Sequence, residues 1–135
     1  MKAVFADTFY YLALVSRDDQ AHTRAVAMSR QLSAPTVTTA WVLTEVADAL
    51  ADPRQRPTFC VLLESLKADS KLTIVPASES LFDLGVELYQ RRMDKEWSLT
   101  DCISFVVMEQ MQLDDALTGD RHFEQAGFRA LLKKS

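Results

Sequence analysis

The apolar pattern changes period repeatedly along this chain. Short apolar runs of strand character alternate with longer segments whose apolar residues recur at helical spacing. Residues 3–7 read as a short buried strand, followed by a helix through Leu14 that Thr8 is placed to cap. Ala21, Ala25, Val26, Met28 and Leu32 give residues 19–33 a weakly apolar helical face. Pro35 ends that segment, and Thr36-Val37-Thr38-Thr39 reads as a second strand. Helices follow over 40–51, stopped by Asp52-Pro53, and over 57–69, with Phe59, Leu62, Leu63 and Leu66 on one stripe. Leu72-Thr73-Ile74-Val75 is a third strand closed by Pro76. Residues 78–93 form an amphipathic helix with Leu81, Leu84 and Leu88 as its spine. Ser98 to Met111 is a helix apolar enough to be largely buried. Ala116-Leu117-Thr118 is a fourth strand, and residues 128–132 are a candidate fifth.

Strands alternating with helices over short connections imply a parallel sheet covered on both faces. The expected fold is therefore α/β, a three-layer α/β/α sandwich around a parallel sheet of four to five strands. In such sheets ligands bind outside the carboxyl ends of the strands, where strand order reverses.

Composition narrows this further. The 135 residues suit one domain, 1–135, with one core. Hydrophobic residues make up 48%, which excludes a disordered chain, and 3 Gly with 4 Pro leave little room for flexible linkers. A net charge of −4 argues against coating nucleic acid by charge alone, yet leaves room for an enzyme that cuts it, since ligand acids are counted without their metal. Cys60 and Cys102 lie among apolar residues and read as buried free thiols, with no CxxC pair for zinc. No secretory leader is read at the N-terminus, and no run approaches the roughly 20 apolar residues of a membrane helix. The expected location is the cytoplasm.

Four acids stand at the edges of apolar segments: Asp7, Glu45, Asp101 and Asp120. Each has an ordinary local explanation. Asp7 fits a turn or N-cap acid, and Glu45 a solvated mid-helix residue, as does Asp48 one turn on. Ser98-Leu99-Thr100-Asp101 has the form of a capping box. Asp120 follows Thr118-Gly119 as turn chemistry would place it, and His122 is a candidate base or ligand that, beside Phe123, reads more simply as packing or surface. Taken together the acids mean more. Asp7 and Asp120 end predicted strands, and helices entering from that edge deliver Glu45 and Asp101 to the same place. Converging carboxylates need a neutralising partner, and a hard divalent cation, Mg²⁺ or Mn²⁺, suits oxygen ligands. That points to metal-dependent phosphodiester hydrolysis. GxSxG, P-loop, GxGxxG and HExxH motifs are absent. A phosphate-accepting Asp on the first strand would want a second acid two residues later, where Phe9 stands.

The opening VFADTFYYLAL, the helix acid in VLTEVADAL, the segment WSLTDCISFVVM and the ending ALTGDRHFEQAGF together resemble the PIN domain, and within it the VapC-type toxin ribonucleases of toxin–antitoxin pairs. The resemblance covers essentially the whole chain. It implies Mg²⁺- or Mn²⁺-dependent cleavage of RNA to a 5′-phosphate and a 3′-hydroxyl, with Asp7, Glu45, Asp101 and Asp120 as the catalytic, metal-holding cluster. Thr8, Ser98 and Thr118 match small hydroxyl positions that support the acids or bound water. It also implies a cognate antitoxin and a homodimer. The chain departs from the pattern at Phe9, where relatives often carry a small polar residue, and Phe9 would narrow the mouth of the site.

Arg17, Arg24, Arg30, Arg91, Arg92, Lys95 and Arg121 are candidate phosphate contacts, although Arg91, Arg92 and Lys95 read more simply as a solvated helix end, and Trp97 is a candidate stacking surface for a base that reads more simply as core. Residues 9–33 are the expected antitoxin face, with Tyr10, Tyr11 and Leu14 as anchors, unless those residues are core or a homodimer contact. Two competing readings remain at this level: an inactive PIN-like module that binds RNA or protein, and a metal-dependent nuclease acting on DNA.

Overall fold

The computed structural model describes residues 1–134. In chain order its elements are β1 (Val4–Ala6), α1 (Thr8–Val15), α2 (His22–Gln31), β2 (Thr36–Thr39), α3 (Ala40–Ala49) and α4 (Arg56–Ala68). Then follow β3 (Leu72–Val75), α5 (Glu79–Arg91), α6 (Leu99–Gln110), β4 (Asp115–Leu117), α7 (Arg121–Gln125) and β5 (Arg129–Ala130). The strands form one sheet in the order β3-β2-β1-β4-β5, and every pairing is parallel.

This order decides where ligands can sit. From β1 the chain winds outward through β2 to β3, then crosses back to β4 and continues to β5. Right-handed crossovers moving in opposite directions place their helices on opposite faces. The helix contacts agree: α1 packs on α2 and α3, and α3 on α4, while α5 packs on α6, and α6 on α7. The sheet is thus the middle of three layers, and its strand order reverses between β1 and β4.

The core is built on β1 and α6. Phe5 and Ala6 of β1 and Ile103 and Met108 of α6 are fully buried. Phe105 joins an aromatic chain, edge-on to both Trp97 and Phe123 at centroid distances of 5.0 and 4.9 Å. Gly85 is what lets α5 lie close on α6, because a side chain there would strike Ile103. No helix among the described residues is long and apolar enough to cross a membrane.

Several sequence expectations change. The fifth strand is shorter than residues 128–132, although Leu131 and Leu132 still donate backbone hydrogen bonds to Ala116 and Thr118. A short helix, α7, replaces the turn expected after Asp120. Thr8 does not cap α1: Asp7 holds the N-cap position and Thr8 is the first helical residue. Cys60 is exposed on α4, whereas Cys102 is buried as expected, its thiol pushed up to about 11 by burial. Tyr10 and Tyr11 belong to the core, with ring centroids 5.3 Å apart, and so cannot be exposed anchors. Trp97 is 5% exposed and cannot offer its face to a base.

Candidate active site

The first strand ends at the reversal point with Asp7, which is 5% exposed. Its position as N-cap of α1 leaves the carboxyl without a capping bond, free to turn toward β4. There Thr118 Oγ1 donates to Asp7 Oδ2 at 2.8 Å, and the same hydroxyl accepts from the Asp120 amide at 3.1 Å. One buried hydroxyl thereby ties the ends of adjacent strands together. The Asp120 carboxylate in turn starts α7, with Oδ1 accepting from the His122 amide at 2.9 Å.

Asp101 arrives from α6. Ser98 and Asp101 form a reciprocal capping box: the Asp101 amide donates to Ser98 Oγ at 3.0 Å, and the Ser98 amide to Asp101 Oδ2 at 3.2 Å. The local expectation and the functional one hold together here, since capping engages Oδ2 and leaves Oδ1 without a hydrogen-bond partner among the described residues.

His122 closes the group. Its Nδ1 lies 3.0 Å from Asp101 Oδ2 and 3.5 Å from Asp120 Oδ1. Ligand-capable atoms of Asp101, Asp120 and His122 lie within 4.8 Å of one another. The sequence reading had given His122 a packing or surface role. The signal available was its spacing: an N-cap acid two residues earlier turns a side chain at this position back over its own helix start.

Asp7 and Glu45 stand outside that closest group. Asp7 is near enough to feel both other aspartates. Burial pushes its carboxyl up to about 7; the Thr118 hydrogen bond opposes the shift, and the charges of Asp101 and Asp120 add to it. Burial also raises Asp101, against the opposing hydrogen bonds from His122 and the Ser98 amide. Glu45 is delivered by α3, whose start is set by Thr39 at the end of β2, where Thr39 Oγ1 accepts from the Val42 amide at 3.1 Å. Thr8 Oγ1 donates to Glu45 Oε1 at 2.6 Å. Thr8, Ser98 and Thr118 each therefore touch an acid. Asp48, further along α3, is exposed.

Phe9 lies over the Thr118–Asp120 turn. A Cβ added at Gly119 would come 2.5 Å from Phe9 Cζ, so the turn is built for a glycine under that ring. Among the candidate phosphate contacts, Arg24 donates to the Leu132 carbonyl at 3.2 Å. Lys95, Arg121 and His122 line one cavity of about 250 Å³.

The donor set fits a hard divalent cation. It offers aspartate oxygens and one imidazole nitrogen, and Asp101 and Asp120 each keep an oxygen without a hydrogen-bond partner among the described residues. The upward push on Asp7 and Asp101 shows that the described side chains do not fully neutralise the acids.

No family model and no curated protein matches the chain. Solved structures do. VapC20 of Mycobacterium tuberculosis, a sarcin-ricin loop cleaving toxin, superposes with a TM-score of 0.84 at 23% identity, over 93% of this chain and 95% of that one. FitAcB of Neisseria gonorrhoeae gives 0.68 at 18% identity, over 94% and 95%. VapBC2 of Rickettsia felis, solved bound to a DNA fragment from its promoter, gives 0.66 at 11% identity, over 95% and 96%. The chain thus has the PIN-like α/β/α fold expected from its sequence.

Proposed function

We propose that this chain, acting as one domain over residues 1–135, is a divalent-metal-dependent endoribonuclease and the toxin of a type II toxin–antitoxin pair. The observation that carries the reading is the meeting of Asp101, Asp120 and His122 within 4.8 Å, beside buried Asp7, where strand order reverses. The fold it shares with VapC20, itself a toxin that cleaves the sarcin-ricin loop, supports RNA over DNA.

Asp7, Asp101 and Asp120 would hold the cation, with Glu45 completing the set from α3. When bound, Mg²⁺ or Mn²⁺ supplies a polarised phosphoryl oxygen and a water of lowered pKa. The chain's own residues do the positioning. Thr118 fixes Asp7 and the Asp120 amide together, Ser98 fixes Asp101, and Thr8 fixes Glu45. His122 Nδ1 hydrogen-bonds Asp101 at 3.0 Å and lies 3.5 Å from Asp120, standing between the two acids. Phe9 covers the turn at Gly119 that leads into Asp120. Lys95 and Arg121 stand at the adjoining cavity to take neighbouring phosphates. The proposal includes action in the cytoplasm, a homodimer and a cognate antitoxin protein, which co-purification with the product of a neighbouring small reading frame would reveal.

The test is a mixed RNA pool incubated with Mg²⁺, Mn²⁺ or EDTA, beside the Asp101→Asn variant. Metal-dependent cutting that the variant loses by about a hundredfold or more is the expected result. Equal cutting by the variant would overturn the site. No cutting in any lane, with no heat of metal binding, would instead mark a binding module.

A further inference from the structure

Two cavities share the lining residues Lys95 and Glu96, and His122 lines one of them. The nearer holds Lys95, Glu96, Arg121 and Gln125. The larger, about 850 Å³, shares Lys95 and Glu96 with it and continues past Trp97 to Arg92, Tyr89 and Met93. It also reaches Ser98 and Cys102, the residues on either side of the Asp101 turn. A strand with one phosphate at the acids would therefore have its next nucleotide directed into this space.

Arg92 is the most constrained residue there. Its guanidinium carbon sits over the Trp97 ring, 5.0 Å from the centroid. Its Nε and Nη2 donate to the two oxygens of Asp94 at 3.0 and 3.1 Å. That pairing pulls the Asp94 carboxyl down to about 2, so the clasp stays charged at any ordinary pH. Trp97 is fixed in turn, with Nε1 donating to Gln125 at 3.0 Å and its ring edge-on to Phe105. The Nε–Nη2 edge of the guanidinium is thus already used by Asp94, which leaves three of its five N–H groups for any phosphate. Also available is its flat outer side, in a side chain that is 39% exposed and lines the cavity. Flat guanidinium faces stack on unpaired bases.

We propose that Arg92, seated over the Trp97 ring and clasped by Asp94, is a nucleobase platform that stacks on an unpaired RNA base beside the phosphate bound at the acids. This inference rests on the nuclease reading above. Lys95 and Arg121 line the connecting space and would carry the phosphate between the two positions. Arg92 touches the base and not the reacting atoms, so it sets affinity and sequence preference.

The intact chain, with Ca²⁺ in place of the catalytic metal, is titrated with two fluorescein-labelled single strands of equal length. One is RNA of mixed sequence, and the other is the same ribose-phosphate strand without bases. Arg92→Ala is expected to weaken the base-bearing strand about tenfold and leave the abasic strand unchanged. Arg92→Lys, which keeps the charge and loses the plane, is expected to behave like Arg92→Ala. The Asp94→Asn variant frees the platform without removing it and is expected to give a smaller loss. Circular dichroism of Trp97 reports whether each variant keeps the fold. Equal weakening of both strands, or rescue by Arg92→Lys, would show charge acting on phosphate and overturn the platform. No effect of Arg92→Ala while metal-dependent cutting of RNA persists would overturn the platform and leave the nuclease standing. No binding of either strand by the intact chain, with no cutting, would overturn both.

Discussion

Asp7 and Asp94 carry the same carboxyl group under opposite conditions. At the carboxyl edge of the sheet, Asp7 is buried near two other aspartates and its carboxyl is pushed up to about 7. In the loop after α5, Asp94 stands in open solvent, grips Arg92 with both oxygens and is pulled down to about 2. Where the chain wants a stable ion pair, it places an arginine two residues from the acid. At the sheet edge it instead gathers Asp7, Asp101 and Asp120 with one imidazole among them. Burying like charges without a full counter-ion costs stability, and the proposed cation would offset that cost.

The sharpest way to break this contrast is to remove a charge from the acid cluster. Asp7→Asn should lower RNA cutting by on the order of a hundredfold. The same variant should raise the melting temperature of the metal-free protein, because it removes a carboxyl whose charge burial opposes and which Asp101 and Asp120 repel. A Glu or Asp lost from an ordinary surface would move neither reading. If Asp7→Asn lowers the melting temperature in EDTA, the cluster is not under the electrostatic load described.

The pH dependence follows from the same group. The folded-state value of about 7 lies above the unfolded value of 3.8, so the folded chain keeps a proton that the unfolded chain releases. Metal-free stability from this group is fully present below about 4 and declines as pH rises toward 7 and above. A cation takes the deprotonated carboxylate. Its affinity should therefore fall as pH drops below about 7, by about tenfold per unit for one displaced proton. Calorimetric titration with Mn²⁺ across pH 5 to 8 measures this, and a flat affinity would remove Asp7 from the ligand set.

A packing change gives the next effect. Gly119→Ala forces a Cβ against Phe9 and should cost about 1–3 kcal/mol by denaturant unfolding. Phe9→Ala in the same chain should recover part of that loss, since the ring is what the new methyl meets. The smallest effect is expected at Ser104, a buried residue of α6 whose hydroxyl has no partner among the described residues. Ser104→Ala should be neutral or stabilising by about 1 kcal/mol.

Much of this architecture was legible because it is encoded locally. The strands at Thr36–Thr39 and Leu72–Val75 were read to the residue, since both are rich in β-branched residues and each has a proline at one end. The capping box at Ser98 and Asp101 was equally plain, because both partners lie within one turn. Less legible were contacts across the chain. Thr8 does not cap its own helix as local spacing suggests; its hydroxyl donates to an acid, Glu45, 37 residues away. Trp97 reads from sequence as core packing more readily than as a stacking surface, and the side chains of Arg92, Phe105 and Gln125 do enclose it. His122 was read beside its neighbour Phe123, when its partner is Asp101, 21 residues back.

By itself, the amino-acid order determined the kind and succession of the elements, because the period of apolar residues, the prolines and the caps act within a few residues. It also marked the acids as poorly placed for ordinary surface or core positions. Only the tertiary structure decided that β1 lies beside β4, which joins Asp7 to Thr118 across 111 residues and brings Asp7 near Asp101 and Asp120. The physical reason is that strand order depends on how the helices share the two faces of the sheet. No local preference records that choice, and the electrostatics of the site exist only once it has been made.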